Sequence, residues 1–177
     1  MWDVSYGGGH FVALEGGSGA YNSTDGRTWS GPFPAGGEFI AHNETGRAVM
    51  ADHYGGGFAY SDDNGESWTD SGFSTGFGLW ALTYGAGRFV AVGRSSSVHA
   101  SSDGVNWSLA GSIPDGSPSC NDIAFGGGRF VVAGAGDHLG GSGIWYSDDG
   151  STWHWATADR RLSRRGGFGG HSVAYRP

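Results

Sequence analysis

Short apolar segments alternate with glycine-rich turns along the chain, and their period is that of a strand. In the first segment Val4 and Tyr6 are apolar positions two apart, and segment 11–14, after a run of glycines, is apolar throughout. A period of two indicates a half-buried strand, whereas a short, fully apolar run suits a strand covered on both faces. No stretch keeps an apolar period of 3.6 residues, so we expect almost no helix.

This pattern recurs four times. Segment 2–17 closely matches segments 80–95 and 121–136, and segment 39–54 is a more divergent copy. Each copy predicts a half-apolar first strand, an apolar second strand, a third strand, and a fourth strand that begins at a tryptophan. Four-stranded units with a period near forty residues are typical of β-propeller blades. An open β-solenoid is the alternative, although its rungs are usually shorter.

The sequence therefore predicts one all-β domain over residues 1–177: a small β-propeller of four four-stranded blades plus one extra C-terminal strand. The predicted blades cover approximately 2–37, 38–78, 79–118 and 119–158. Segment 159–170 is predicted to be a loop. Segment 171–175 repeats the first strand alone, with Val173 and Tyr175 in the places of Val4 and Tyr6. This extra strand either closes a four-bladed ring or pairs with another copy of the chain in a homo-oligomer.

A short motif closes each unit before its fourth strand. It reads STDGRTW at 23–29, SDDNGESW at 61–68, SSDGVNW at 101–107 and SDDGSTW at 147–153. We expect the aspartate to accept hydrogen bonds from backbone N–H groups of its own turn, and the following glycine to be left-handed. The tryptophan is expected to pack between blades. These structural residues are Asp25, Trp29, Asp63, Trp68, Asp103, Trp107, Asp149 and Trp153.

The four motifs resemble Asp-boxes, the S-x-D-x-G-x-x-W turns of the BNR repeat family, which occurs in sialidases and in many non-enzymatic propellers. SDDNGESW matches in full, and the other three are one residue shorter. The resemblance implies a β-propeller with each Asp-box between the third and fourth strands. It does not extend to the sialidase site: only YRP at 175–177 is similar to its arginine motif, and the repeat places no glutamate beside a suitable tyrosine. We therefore expect no catalysis.

Composition narrows the range of partners. Glycine supplies 37 of the 177 residues, yet an aromatic content of 14% indicates a folded chain. The net charge is −7 and all ten basic residues are arginine, so we expect no nucleic-acid partner. Cys120 is the only cysteine, which excludes an internal disulfide. We see no signal peptide and no apolar run for membrane insertion; localisation stays open, with extracellular or virion-associated settings favoured.

Strand direction predicts two unlike faces. The motif turns and glycine turns share one face, and the variable connections share the other, which we call the loop face. Variable polar loops on a regular scaffold often carry recognition. The candidate ligand-binding residues are the first-strand starts Trp2, Phe39, Trp80, Asn121 and His171, and the loop residues Asp52, His53, Arg94, Asp137 and His138.

These residues favour a carbohydrate-binding (lectin-like) or adhesive module that binds a glycan or a protein surface, because aromatic rings stack on sugars and polar neighbours bond hydroxyls. Alternatively the aromatic residues only fill the central channel of the propeller or cover blade edges. The chain would then be a structural or protein-interaction component such as a phage virion or tail part. A sialidase-like glycoside hydrolase is the second alternative. No cofactor is expected, and no histidine pair has the fixed spacing of a metal site.

Overall fold

The computed structural model describes residues 2–16, 18–114, 119–135 and 142–156. Within these ranges the chain forms four antiparallel sheets of four strands each, and every sheet follows chain order. Blade 1 contains β1 (Trp2–Gly7), β2 (His10–Glu15), β3 (Gly19–Ser23) and β4 (Ser30–Phe33). Blade 2 contains β5 (Phe39–His42), β6 (Ala48–Ala51), β7 (Gly57–Ser61) and β8 (Thr69–Ser74).

Blade 3 contains β9 (Leu79–Gly85), β10 (Arg88–Gly93), β11 (Ser97–Ser101) and β12 (Ser108–Ser112), and blade 4 contains β13 (Ser119–Gly126), β14 (Arg129–Ala135), β15 (Ser142–Ser147) and β16 (His154–Trp155). The predicted all-β class and its four four-stranded units are confirmed. Each fourth strand begins one residue after the motif tryptophan. The predicted loop 159–170 and extra strand 171–175 lie outside the described residues. No helix in the described ranges is long and apolar enough to cross a membrane.

The motif turns have the predicted geometry between third and fourth strands. Asp103 Oδ1 accepts hydrogen bonds from the backbone N–H groups of Val105 at 2.9 Å and Asn106 at 2.8 Å. Gly104 is left-handed, with φ of 77°, a conformation that costs glycine little. In the fourth turn the backbone N–H groups of Thr152 and Ser151 hold the pKa of the Asp149 carboxyl below its usual range. These contacts are local to each turn, so each copy of the motif builds the same structure.

The motif turns of blades 2, 3 and 4 also contact the blade before them. A Cβ atom placed on Gly65 would lie 2.8 Å from Val12 Cγ1, and one on Gly104 would lie 2.5 Å from Val49 Cγ2. Only glycine fits such a close approach. The tryptophan that ends the motif fills the same seam: Trp107 stacks on Phe58 of blade 2, with ring centroids 3.7 Å apart. Three apolar clusters result, one in each seam between consecutive blades.

Trp29 departs from this rule. Its exposed fraction is 39%, whereas that of Trp107 is 7%. Val4 in β1 is 56% exposed, although Leu82 and Ile123, at the same register position in blades 3 and 4, are buried. In blades 2 to 4 this face packs against the preceding blade, and no blade precedes blade 1 among the described residues. Within the described residues Trp29 therefore lies in no seam, unlike the seam position predicted for all four motif tryptophans.

Candidate functional site

The seam between blades 2 and 3 brings several predicted residues together on the loop face. The rings of His53 and Trp80 are nearly parallel, with centroids 6.2 Å apart and an interplanar angle of 14°. Tyr54 meets His53 edge-on at 4.7 Å, and Phe39 lies 6.2 Å from His53 on another side. The structure thus forms an aromatic cluster (His53, Tyr54 and Trp80, with Phe39 behind it) from one loop and two strands.

Two carboxylates fix the turn that carries this cluster. Asp52 accepts hydrogen bonds from the backbone N–H groups of Tyr54 and Gly55, each at 2.9 Å. Glu38 Oε2 accepts a third, from the backbone N–H of His53 at 3.0 Å. Charge-assisted bonds of this kind are stronger than neutral ones. These hydrogen bonds fix the backbone of the turn, and the side chain of Tyr54, which the turn carries, is 81% exposed.

The link 75–78 between blades 2 and 3 packs against this turn. A Cβ atom on Gly78 would lie 2.3 Å from the His53 carbonyl oxygen and 3.8 Å from Trp80 Nε1. The backbone N–H of Arg94 donates to the Gly78 carbonyl at 2.9 Å. Arg94 is therefore tied through its backbone to the link that packs against this turn, and its own side chain is exposed.

A cleft of about 580 Å³ lies on the other side of Asp52. One wall is the segment 34–37 of the link that joins blade 1 to blade 2, and the rest comes from β6, Asp52, β7, Trp68 and the start of β8. Its lining is apolar apart from the carboxylates of Asp52 and Asp70. Because Asp52 belongs both to the cleft and to the turn of the aromatic cluster, the two form one continuous surface.

Gly37 sets the position of the cleft wall. A Cβ atom there would lie 2.7 Å from both Cβ and Cγ of Met50, whereas one on Gly36 would meet nothing within 4 Å. Neither glycine has a positive φ, so the two positions differ only in the room available for a Cβ atom. We expect Gly37→Ala to lower the free energy of unfolding by about 1–3 kcal/mol through overpacking, and Gly36→Ala to stay within about 0.5 kcal/mol of the parent. Urea unfolding of both variants checks this; equal losses would contradict it.

The structure places the other candidate residues differently. Phe39 is buried in the core of the seam. In the sheet it occupies the position that Asp3, and not Trp2, occupies in blade 1. The sequence alignment of the divergent second repeat is therefore shifted by one residue. The predicted role of Phe39 in contacting a ligand is corrected to core packing. Trp2 and Asn121 lie in β1 and β13, the first strands of blades 1 and 4, away from the blades that form the cluster. Asp137, His138 and His171 lie outside the described residues.

Three residues of this surface were not predicted: Glu38, Tyr54 and Asp70. Tyr54 had a usable signal, since it is an aromatic residue inside a polar, glycine-rich loop. Asp70 had another, because it follows Trp68 by two residues in an extended segment and so shares its face. Glu38 was missed because the same one-residue misalignment placed Phe39, and not Glu38, at the start of the first strand of blade 2.

One glutamate does lie beside a tyrosine, contrary to the expectation from the repeat. Tyr21 Oη donates a hydrogen bond to Glu15 Oε2 at 2.9 Å, across the β2–β3 pair. The bond to this carboxylate raises the pKa of Tyr21, because it favours the protonated phenol. That effect is opposite to the activation that a tyrosine nucleophile needs. In the described ranges no group of three or more His, Cys, Asp or Glu side chains is placed to hold a metal ion.

No protein-family model and no curated protein sequence matches the chain. Among solved structures it is similar to nidogen in a nidogen/laminin complex, with a TM-score of 0.65 and 13% identity over 86% of this chain and 63% of that one. It is also similar to YCF48 from Cyanidioschyzon merolae, with a TM-score of 0.63 and 16% identity over 90% of this chain and 57% of that one.

A third similar structure is YCF48 bound to a D1 peptide, with a TM-score of 0.59 and 16% identity over 84% of this chain and 49% of that one. The chain thus spans roughly half to three-fifths of these proteins. Identities this low show the fold alone, and membership of the Asp-box family stays a prediction. The four radially packed sheets and these structural neighbours together show that the chain has a β-propeller fold.

Proposed function

We propose that the chain is a non-catalytic recognition module that binds a protein surface through the loop face of blades 2 and 3. The observation that carries this proposal is Tyr54: its side chain is 81% exposed, yet the backbone beneath it is fixed by carboxylates. A large aromatic side chain on a preordered backbone adds contact area at little cost in conformational entropy. Tyrosine is accordingly enriched among the residues that dominate binding energy at protein interfaces.

The surroundings of Tyr54 support the same proposal. Apolar rings lie next to the carboxylates of Glu38 and Asp52, and an apolar centre with a polar rim is the usual composition of a protein interface. The structural neighbours add a precedent at the level of the fold, since YCF48 is seen with a D1 peptide and nidogen with laminin. Neither partner is carried over to this chain.

Peptide selection on the immobilised full chain tests the proposal. We expect a random peptide display library to yield binders whose affinity falls about thirtyfold in Tyr54→Ala, as for a residue that dominates an interface. Tyr6→Ala is the matched control, because Tyr6 is also exposed but lies on blade 1. Selected peptides that bind Tyr54→Ala as well as the parent would contradict the proposal.

Glycan recognition is the second candidate, and the same exposed ring favours it. Tyr54 has Asp52 in its own turn and Glu38 hydrogen-bonded to the backbone of that turn, and an aromatic platform beside carboxylates is suited to sugar rings and their hydroxyls. A glycan array probed with the parent and with Tyr54→Ala separates the two candidates. Glycan binding that depends on Tyr54, without any peptide binding, would replace the protein surface by a carbohydrate.

A further inference from the structure

The cleft beside Asp52 has the size and lining of a binding subsite. Its volume of about 580 Å³ lies within the roughly 300–1,000 Å³ of typical small-ligand pockets. Met50 and Phe58 are buried at its base, and Trp68 forms part of its side. The indole N–H of Trp68 donates to the Gly65 carbonyl at 3.1 Å, so the motif turn fixes the orientation of this ring.

The charged side chains that line the cleft are all negative. Asp52 and Asp70 line it and no arginine does, and neither carboxylate is in an ion pair within the part of the chain that the structure describes. Asp70 Oδ1 accepts the backbone N–H of Gly72 at 2.8 Å. No hydrogen bond from another described residue reaches Asp70 Oδ2, so this exposed oxygen is available to a ligand. An anionic group would be repelled here, and a neutral apolar group would desolvate carboxylates without compensation.

We infer that this cleft is a subsite for a lysine or arginine side chain of the bound protein segment, an inference that rests on the proposed function. The aliphatic stem of such a side chain packs on apolar surface while its charged end stays polar. Met50 and Trp68 supply that surface, and the aromatic face also attracts a cation. The charged end then lies near Asp70, and Asp52 adds a second negative charge.

The position of the cleft links it to the aromatic cluster. Asp52 anchors the turn under Tyr54 and also lines the cleft. A segment that covers Tyr54 therefore passes directly beside the cleft. The predicted recognition element is an extended peptide that places a basic residue in the cleft next to the residue contacting Tyr54.

An NMR titration of the full chain tests this inference with N-acetyl-lysine amide as the probe. N-acetyl-norleucine amide is the matched control, since it has a similar stem without the ammonium group. We expect the lysine probe to shift the Trp68 indole and Asp70 backbone signals at millimolar concentration and the norleucine probe to bind several-fold more weakly. Asp70→Asn should weaken the lysine probe about fivefold, and the Asn side chain still accepts the Gly72 N–H. Glu44→Gln, at an exposed carboxylate on the opposite face, should change nothing.

Equal binding of the two probes, or no shift of the Trp68 and Asp70 signals, would overturn the cation subsite. Its failure is distinct from that of the proposed function. Library peptides that need Tyr54 but lack basic residues and ignore Asp70→Asn would leave the recognition module standing without this subsite. A lysine probe that occupies the cleft while the library yields no Tyr54-dependent peptide would instead leave a cation site without the proposed protein recognition.

Discussion

Replacing Trp107 by alanine should lower the free energy of unfolding by about 3–5 kcal/mol, whereas Trp29→Ala should lower it by about 1 kcal/mol or less. The two tryptophans occupy the same place in the same motif, so local sequence does not distinguish them. Their surroundings do: Trp107 is stacked on Phe58 across the seam, and Trp29 is substantially exposed. Removing the first leaves a cavity in a packed core, and removing the second mainly exposes the ring of Phe11, 6.3 Å away.

Denaturant unfolding of both variants, followed by far-UV circular dichroism, measures this difference without depending on tryptophan fluorescence. The m-values should stay close to that of the parent, so that changes in midpoint report stability. Equal losses in Trp29→Ala and Trp107→Ala would contradict this prediction and would show that the face of blade 1 that carries Val4 and Trp29 is covered in solution.

The same pair of residues shows what the sequence could predict. The motif turns were predictable because their hydrogen bonds join residues two to four apart, as between Asp103 and the N–H groups of Val105 and Asn106. A repeat also predicts that consecutive units pack alike. It contains no information on whether a unit has a neighbour, and this is why the exposure of Trp29 was missed.

The candidate site was predictable only in part, for a related reason. Asp52, His53 and Trp80 were found because they lie in variable loops and at a strand start. The cleft was not found, because it depends on the path of the link 34–37 and on the contact between Gly37 and Met50. The pairing of Tyr21 with Glu15 likewise arises from the register of β2 and β3. Such features need coordinates, since residues distant along the chain define them.

Lowering the pH from 7 to 5 should reduce the free energy of unfolding by about 2 kcal/mol through His42 alone. This residue replaces an aromatic one: the first strands of blades 1 and 3 carry Tyr6 and Tyr84 at this position, each beside a phenylalanine with ring centroids 4.6 Å and 4.8 Å apart. In blade 2 His42 faces Ala48 instead. His42 is buried, and neither ring nitrogen has a hydrogen-bond partner among the described residues.

Burial lowers the pKa of His42 from 6.5 to about 4, and the nearby His10 acts in the same direction. The folded state therefore keeps the ring neutral in a pH range where the unfolded chain takes up a proton. Because the unfolded state binds more protons between about pH 6.5 and 4, stability falls as the pH falls through this window. His99, whose pKa burial also lowers, adds to the loss with the same sign.

His42→Phe isolates the contribution of this one ring. We expect the variant to be at least as stable as the parent at pH 7, because it removes two unpaired buried nitrogens, and to lose clearly less stability between pH 7 and pH 5. His99 should contribute to the remaining slope, so His99→Phe should reduce it further, whereas the pKa of Asp3, which burial raises, acts with the opposite sign. Guanidinium unfolding at closely spaced pH values measures both slopes. Aspartates of the motif turns do not confuse the comparison, since their pKa values are lowered in the fold and they act mainly below pH 5. A Cβ atom placed on Gly7 of blade 1 would meet the His42 side chain, so His42 lies in the seam between blades 1 and 2. An unchanged slope in His42→Phe would show that the ring takes up its proton in the folded state and that this seam admits water.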